Sequence, residues 1–292
     1  MGRFLRLLIV LAVLMGAVAW WLTAPKTVPD DFLAGLSGDQ EAGEVVFHAS
    51  GCASCHSAPD ASGEAMLVLA GGRGFASPFG TFYAPNISTD PVAGIGDWSA
   101  TDLANAMIHG TSPDGQHYYP AFPYASYRKI APQDVVDLRA YLATLPADQT
   151  ESRDHDVGFP FNIRRSLGGW KVLFAGKEYV QPAPDAVLER GRYLVEVLGH
   201  CAECHTPRNA LGGLQRDKWM EGAPHPSGKG SFPAITPSKL QWSQGDLVAF
   251  FQSGLTPEFD STGGEMTEVI DNLRQLPVSD QEAIAAYLLA LD

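Results

Sequence analysis

The sequence predicts an all-α chain: one N-terminal transmembrane helix, then two tandem copies of a small helical domain. Three observations predict it. An apolar run opens the chain. A composition rich in Gly and Pro suits small domains with long ordered loops better than a large sheet. The landmarks of the first half return in the same order in the second. The expected boundaries are a membrane anchor over 1–24, a tether over 25–38, a domain over 39–148, a connecting strap over 149–185 and a second domain over 186–292.

Arg3 and Arg6 precede the apolar run 7–22, which closes on Trp20 and Trp21. Positive charge before such a run predicts a cytoplasmic start with the remainder outside. The run is short of the roughly 20 residues that a span needs, and Phe4 and Leu5 extend it if Arg6 snorkels. The rival is a cleaved signal peptide, with Ala17-Val18-Ala19 as the cleavage site. Both readings export the body. The paired Trp suit a membrane–water boundary and favour a retained anchor. The expected location is the bacterial inner membrane, single-pass, with the folded domains in the periplasm. The net charge of −13 argues against nucleic acid, whose phosphates call for a basic face. It suits steering toward a basic protein partner, although an acidic chain also gains plain solubility.

A tether with Pro25 and Pro29 follows, and a helical pattern then runs into Gly51-Cys52-Ala53-Ser54-Cys55-His56. After a Gly/Pro-rich stretch over 71–96, Ser99 is the N-cap of a helix that stops at Gly110. A last helix over 132–145 carries Val135, Leu138, Tyr141 and Leu142 at helical spacing. In the second half Glu189-Arg190-Gly191 opens the helix that leads to Cys201-Ala202-Glu203-Cys204-His205. Trp242-Ser243 repeats Trp98-Ser99, and Ala286-Tyr287-Leu288 repeats Ala140-Tyr141-Leu142. Cys52 and Cys201 are 149 residues apart, and Trp98 and Trp242 are 144 apart, so one unit is duplicated. The connector over 146–185 is aromatic and not Gly/Ser-rich, which reads as an ordered strap.

All four cysteines sit in the two Cys-x-x-Cys-His motifs, the attachment signature of c-type haem. Two thiols three residues apart on a helical turn can each form a thioether to one haem vinyl group. The adjacent His then presents its imidazole to the iron. This makes Cys52, Cys55, Cys201 and Cys204 the covalent attachments of two haem c groups, with His56 and His205 as proximal iron ligands. A thioredoxin-like pair would need a βαβ context. A zinc site would leave both His unexplained, and a disulfide across each motif would be strained in a helix. Pro59 and Pro207 are the expected acceptors for the proximal imidazole N–H groups.

For the second haem the distal ligand is Met266, placed before the last helix where class I cytochromes c carry a Met. It lies 24 residues after Trp242, and the residue 24 after Trp98 is Phe122. Nine residues after each Trp stand Met107 in the first repeat and Phe251 in the second. Met and Phe have exchanged places. Met107 is therefore the favoured distal ligand of the first haem, with His117 the alternative, Met66 and His109 behind it, and a vacant site also open. Trp98 and Trp242 read either as donors to haem propionates or as packing. Arg164 and Arg165 read either as propionate partners or as a solvated pair.

Ser77-Pro78-Phe79-Gly80-Thr81, Asn86-Ile87-Ser88, Gly94-Ile95-Gly96-Asp97-Trp98, the 119–124 segment and Phe159-Pro160-Phe161-Asn162-Ile163 resemble the cytochrome c subunits of membrane-bound quinoprotein alcohol dehydrogenases. The resemblance covers nearly the whole chain after the tether. It implies two class I cytochrome c domains, a periplasmic site and electron transfer toward a quinone or terminal oxidase chain. Those subunits carry three haems and a Met where this chain has Phe122, so the likeness points to a dihaem branch. The expected function is single-electron transfer between redox proteins: a dehydrogenase, a quinol-oxidising complex or a terminal oxidase. The alternatives are a cytochrome subunit of a dehydrogenase complex, a peroxidase-like or thiosulfate-oxidising haem enzyme open at haem 1, and a sensor or assembly factor.

Overall fold

The computed structural model describes residues 2–291; Met1 and Asp292, the outer ends of the first and last expected segments, lie outside the described residues. Helix α1 (Arg3–Leu22) is long and apolar enough to cross a membrane and buries none of its residues against the body. Its last turn ends at Thr23, whose hydroxyl donates to the Ala19 carbonyl (2.7 Å).

In the first half, α2 (Gln40–Ala49) starts where the Asp39 carboxylate accepts the amides of Glu41 and Ala42. It runs almost directly into α3 (Cys52–His56). A hairpin follows, β1 (Gly74–Ser77) and β2 (Gly80–Tyr83), paired antiparallel with Gly74 opposite Tyr83. Helix α4 (Ala100–Ala104) opens with a capping box between Ser99 and Asp102, which satisfies two backbone donors reciprocally. It widens into a π-helical turn, Asn105–His109, and stops at Gly110 in the left-handed region (φ 57°). Helices α5 (Tyr124–Tyr127) and α6 (Pro132–Leu142) complete this half. The residues after Leu142 finish in tighter turns before Pro146, so α6 is shorter than the apolar pattern suggests.

The connector is ordered by contacts at both ends. Strand β3 (Asp156–Val157) adds to β2, and α7 (Leu167–Phe174) packs against the end of α1 and the loops of both halves. The second half holds α8 (Ala186–Tyr193), continued by a π-helical turn Leu194–Leu198, then α9 (Ala202–His205) and the short pair β4 (Ala223–Pro224) and β5 (Ser231–Phe232). Helices α10 (Pro237–Leu240), α11 (Gln244–Ser253), α12 (Glu265–Leu273) and α13 (Val278–Leu289) follow. A second capping box, Ser243 with Asp246, opens α11, and Gly254 ends it (φ 74°).

The chain is mostly helical, but the all-α expectation misses the strands. Their place has a physical reason. In each half the hairpin turns the chain back beneath the Cys motif, where a backbone carbonyl is needed.

Two helix crossings organise the core, α2 against α6 and α8 against α13. Both are glycine contacts. A Cβ on Gly43 would lie 2.0 Å from the Asp137 carbonyl oxygen, and one on Gly191 would lie 2.0 Å from that of Ala283. The neighbouring Tyr141 and Tyr287 cover the same spots, so hydrogen at Cα is the only substituent that fits. One continuous apolar cluster runs through both halves, from Phe47, Leu138 and Met107 to Leu198, Ile270 and Leu288. Gly43→Ala and Gly191→Ala should each lower stability by about 1–3 kcal/mol, the usual penalty of overpacking. Gly169→Ala, on the open face of α7 with nothing within 4 Å, should be neutral or mildly stabilising. Urea unfolding midpoints measure this, and an unchanged midpoint for Gly191→Ala would mean that α8 and α13 are not tightly crossed.

Candidate haem-binding sites

Each Cys-x-x-Cys-His motif winds into one helical turn. The residue before it stands in the left-handed region: Gly51 (φ 59°) and His200 (φ 39°). This reversal lets the preceding helix run straight into the motif. His200 holds a backbone shape that is ordinarily left to Gly. The turn sets the two sulfurs of each motif on one side. Burial pushes Cys52 and Cys204 up to about 12 and Cys55 and Cys201 up to about 11. A reactive redox pair shows the opposite, a thiol held below its ordinary value. Among the described residues no three or more His, Cys, Asp or Glu side chains gather as a metal-ion cluster, so the two pairs do not form a joint zinc site.

Both motif histidines are held from behind. His56 Nδ1 donates to the Pro85 carbonyl (2.9 Å) and His205 Nδ1 to the Pro233 carbonyl (2.7 Å). Only a protonated Nδ1 can donate to a carbonyl, so Nε2 is the bare nitrogen in each ring. Burial pulls both below the ordinary imidazole value and keeps them neutral, the form that binds metal. The acceptors are not Pro59 and Pro207. A helical side chain leans toward the N-terminus, away from residues just after it, and the Pro207 carbonyl instead takes the Gln215 amide (2.8 Å). Sequence reading missed Pro85 and Pro233, although Pro85-Asn86-Ile87-Ser88 and Pro233-Ala234-Ile235-Thr236 repeat at nearly the motif spacing.

Met266 lies in the first turn of α12, half-buried against the core with Ile270 on the same face. The opposite face of α12 carries Glu268 and Asn272. Met107 is buried in the middle of the π-helical turn that continues α4. Phe122 packs on the rings of Tyr124 and Tyr127, and Phe251 is buried in α11. His117 is committed elsewhere: Nε2 donates to the Thr23 carbonyl (3.0 Å), and Nδ1 accepts from Lys171 Nζ (2.9 Å). His109 is half-buried, and its carbonyl accepts a second Lys171 bond (2.6 Å). Met66 lies half-buried in a 3-10 turn, Gly63–Leu67.

A haem also brings two carboxylates, and the protein has matching donors without partners. The buried Tyr124 hydroxyl, Trp219 indole N–H and the Nε atoms of Arg128 and Arg192 form no hydrogen bond within the protein. Buried polar groups are normally paired, and cationic and N–H donors of this kind suit propionates. Trp98 and Trp242 pack half-buried against the core. Arg164 and Arg165 are both engaged with backbone carbonyls. Arg164 donates to the His117 carbonyl (3.1 Å). Arg165 binds the carbonyls of Trp20 and Thr23 and stacks on the Trp20 ring.

The halves meet at their motifs. Asn272 Nδ2 donates to Ser54 Oγ inside the first motif (2.9 Å), and Arg73 pairs with Glu268 (2.7 Å). In return, Ser126 of α5 reaches Glu203 inside the second motif (3.4 Å). His200 Nε2 lies 3.4 Å from the Ser50 carbonyl, so the residues leading into the two motifs touch.

The cytochrome c family model matches residues 40–146. A diheme cytochrome c-type protein of Cereibacter sphaeroides is 53% identical over 99% of this chain and 98% of its own length. The gluconate 2-dehydrogenase cytochrome c subunit of Pantoea cypripedii is 35% identical, over 97% of this chain and 64% of its own. The alcohol dehydrogenase (quinone) cytochrome c subunit of Gluconacetobacter polyoxogenes is 33% identical, over 85% of this chain and 55% of its own. This chain thus spans between half and two thirds of the length of those two subunits.

Burial and the Lys171 ammonium push His117 down to about 4, against an ordinary value of 6.5. As pH falls, the unfolded chain takes up this proton first. The stability held above pH 6.5 is therefore lost progressively toward pH 4. Across that window the melting temperature of the native protein should fall further than that of His117→Gln; parallel falls would show that His117 titrates normally.

Proposed function

This chain belongs to the cytochrome c family and carries two covalently bound haem c groups, and from that premise we propose that it is a membrane-anchored periplasmic relay of single electrons. Its two class I domains are 39–148 and 186–292, joined by the strap 149–185. Cys52 and Cys55 hold haem 1, and Cys201 and Cys204 hold haem 2. His56 and His205 are the proximal ligands, and Met266 is the distal ligand of haem 2. Met107 serves haem 1. A buried thioether in a π-helical turn supports this, since such turns frequently mark functional sites, and both ring nitrogens of His117 are already bonded.

Haem supplies reversible one-electron chemistry, at a raised potential when Met stands opposite His. The Pro85 and Pro233 carbonyls fix each imidazole and raise its basicity as a ligand. Tyr124, Arg128, Arg192 and Trp219 offer donors to the propionates. The apolar core excludes water. The observation that carries the relay reading is the contact between the two motif approaches, His200 against Ser50, which brings both attachment points to one junction.

Related chains that are cytochrome subunits of dehydrogenases support a dehydrogenase as donor, with a quinone-linked complex or terminal oxidase as acceptor. The grip on Trp20 and Thr23 supports retention of α1 in the inner membrane. Cleavage after Ala19 would set a new positive amino terminus on Trp20, directly beside the Arg165 guanidinium.

Pyridine-adduct spectroscopy should find two haems per chain. Met107→Ala and Met266→Ala should each remove about half of the weak charge-transfer absorption of Met–iron ligation, lower one potential and admit carbon monoxide at one haem. If Met107→Ala keeps the whole band and stays closed to carbon monoxide, Met107 is not the ligand.

A further inference from the structure

Helix α7 is amphipathic in the wrong sense for water. Its only charged side chain, Lys171, points inward, donating to the carbonyls of His109 and Gly110 (2.6 and 2.7 Å) and to His117. Its outward residues are apolar: Val172 and Leu173 are 60% and 68% exposed. The strap just before it adds Phe159, at 81% exposed, with Phe161 and Ile163. A water-facing helix has the reverse arrangement.

The place of this face names its occupant. A Cβ on Gly168 would lie 2.0 Å from the Thr23 carbonyl, so α7 is pressed against the residue where α1 ends. Trp20 and Trp21 at the end of α1 are exposed, and Arg165, one turn earlier than Gly168, stacks on the Trp20 ring and clamps that end. Since α1 buries nothing against the body, it leaves the protein at this point. The apolar face is therefore continuous with the emergence point of a membrane helix.

We propose that the outer face of α7 and the 159–163 strap rest in the headgroup region of the phospholipid bilayer, as a second, interfacial attachment beside α1. This rests on the reading of α1 as a retained anchor. The face resembles other in-plane helices in its aliphatic and aromatic outer side. It differs in turning its lysine inward, and the charges at its edge, Lys177, Glu178 and Arg216, are of mixed sign. Both halves stand on α7: the first through Gly110 and His117, the second through Trp170, whose indole donates to the Leu211 carbonyl (2.9 Å). The attachment therefore fixes the tilt of the whole body.

The test uses the full-length holoprotein in phosphatidylcholine–phosphatidylglycerol nanodiscs. Nitroxide labels go on Leu173→Cys, Val172→Cys, Val13→Cys in α1 and Val278→Cys on α13, the native thiols being occupied by haem. Power saturation with oxygen and with a water-soluble nickel chelate reports depth. The expected result is a Leu173 label open to oxygen and severalfold less open to nickel than the Val278 label, with Val172 agreeing. A Leu173 label as open to nickel as that at Val278, with Val13 in lipid, overturns this inference and leaves the anchor standing. Labels at Val13 and Leu173 both in water sink anchor and inference together. A Leu173 label shielded from both reagents means that protein covers the face, which also overturns the proposal.

Discussion

An imidazole that is to offer Nε2 to a metal must be gripped through Nδ1, and the grip cannot come from the chain segment that carries it. Much of this structure follows from that constraint. Beyond each Cys motif the chain folds through a hairpin so that a Pro carbonyl arrives beneath the ring. The acceptor is a backbone oxygen that belongs to an ordered turn, so it cannot rotate away, and the tautomer is settled before any ligand binds. The hairpins β1–β2 and β4–β5 each lead directly to the carbonyl that makes this bond.

The two halves are not beads on a string. Helix α12 has one side in the core of the second half and sets Glu268 and Asn272 against the first motif. Helix α5 reciprocates against the second motif. A change in the first turn of α12, where Met266 lies, is thereby felt at Ser54, on the far side of the junction. The strap adds a third tie: α7 meets the end of α1, a loop of the first half and a loop of the second.

How much of this was legible in the sequence depends on whether the signal was local. Ser99 with Asp102 and Ser243 with Asp246 are capping boxes, visible three residues apart, and Gly110 ends its helix as expected. The Cys-x-x-Cys-His spacing is local too. The acceptors for the motif histidines were not legible in the same way. A carbonyl belongs to every residue, so nothing in the side chain of Pro85 marks it, and the hairpin that delivers it consists of very short strands. Arg165 was equally opaque. Its partners are carbonyls freed by the end of a helix 145 residues away in sequence, a role that only tertiary structure creates. The π-helical turns are hidden because one extra residue barely disturbs a helical apolar pattern.

The touching motif approaches also mean that lesions there should not sum. The Ser50 carbonyl faces His200, and Asn272 bonds to Ser54, so these residues are partners across the seam. Groups in direct contact do not contribute independently, and once one side of such a pair is lost, removing the other forfeits less than it would alone.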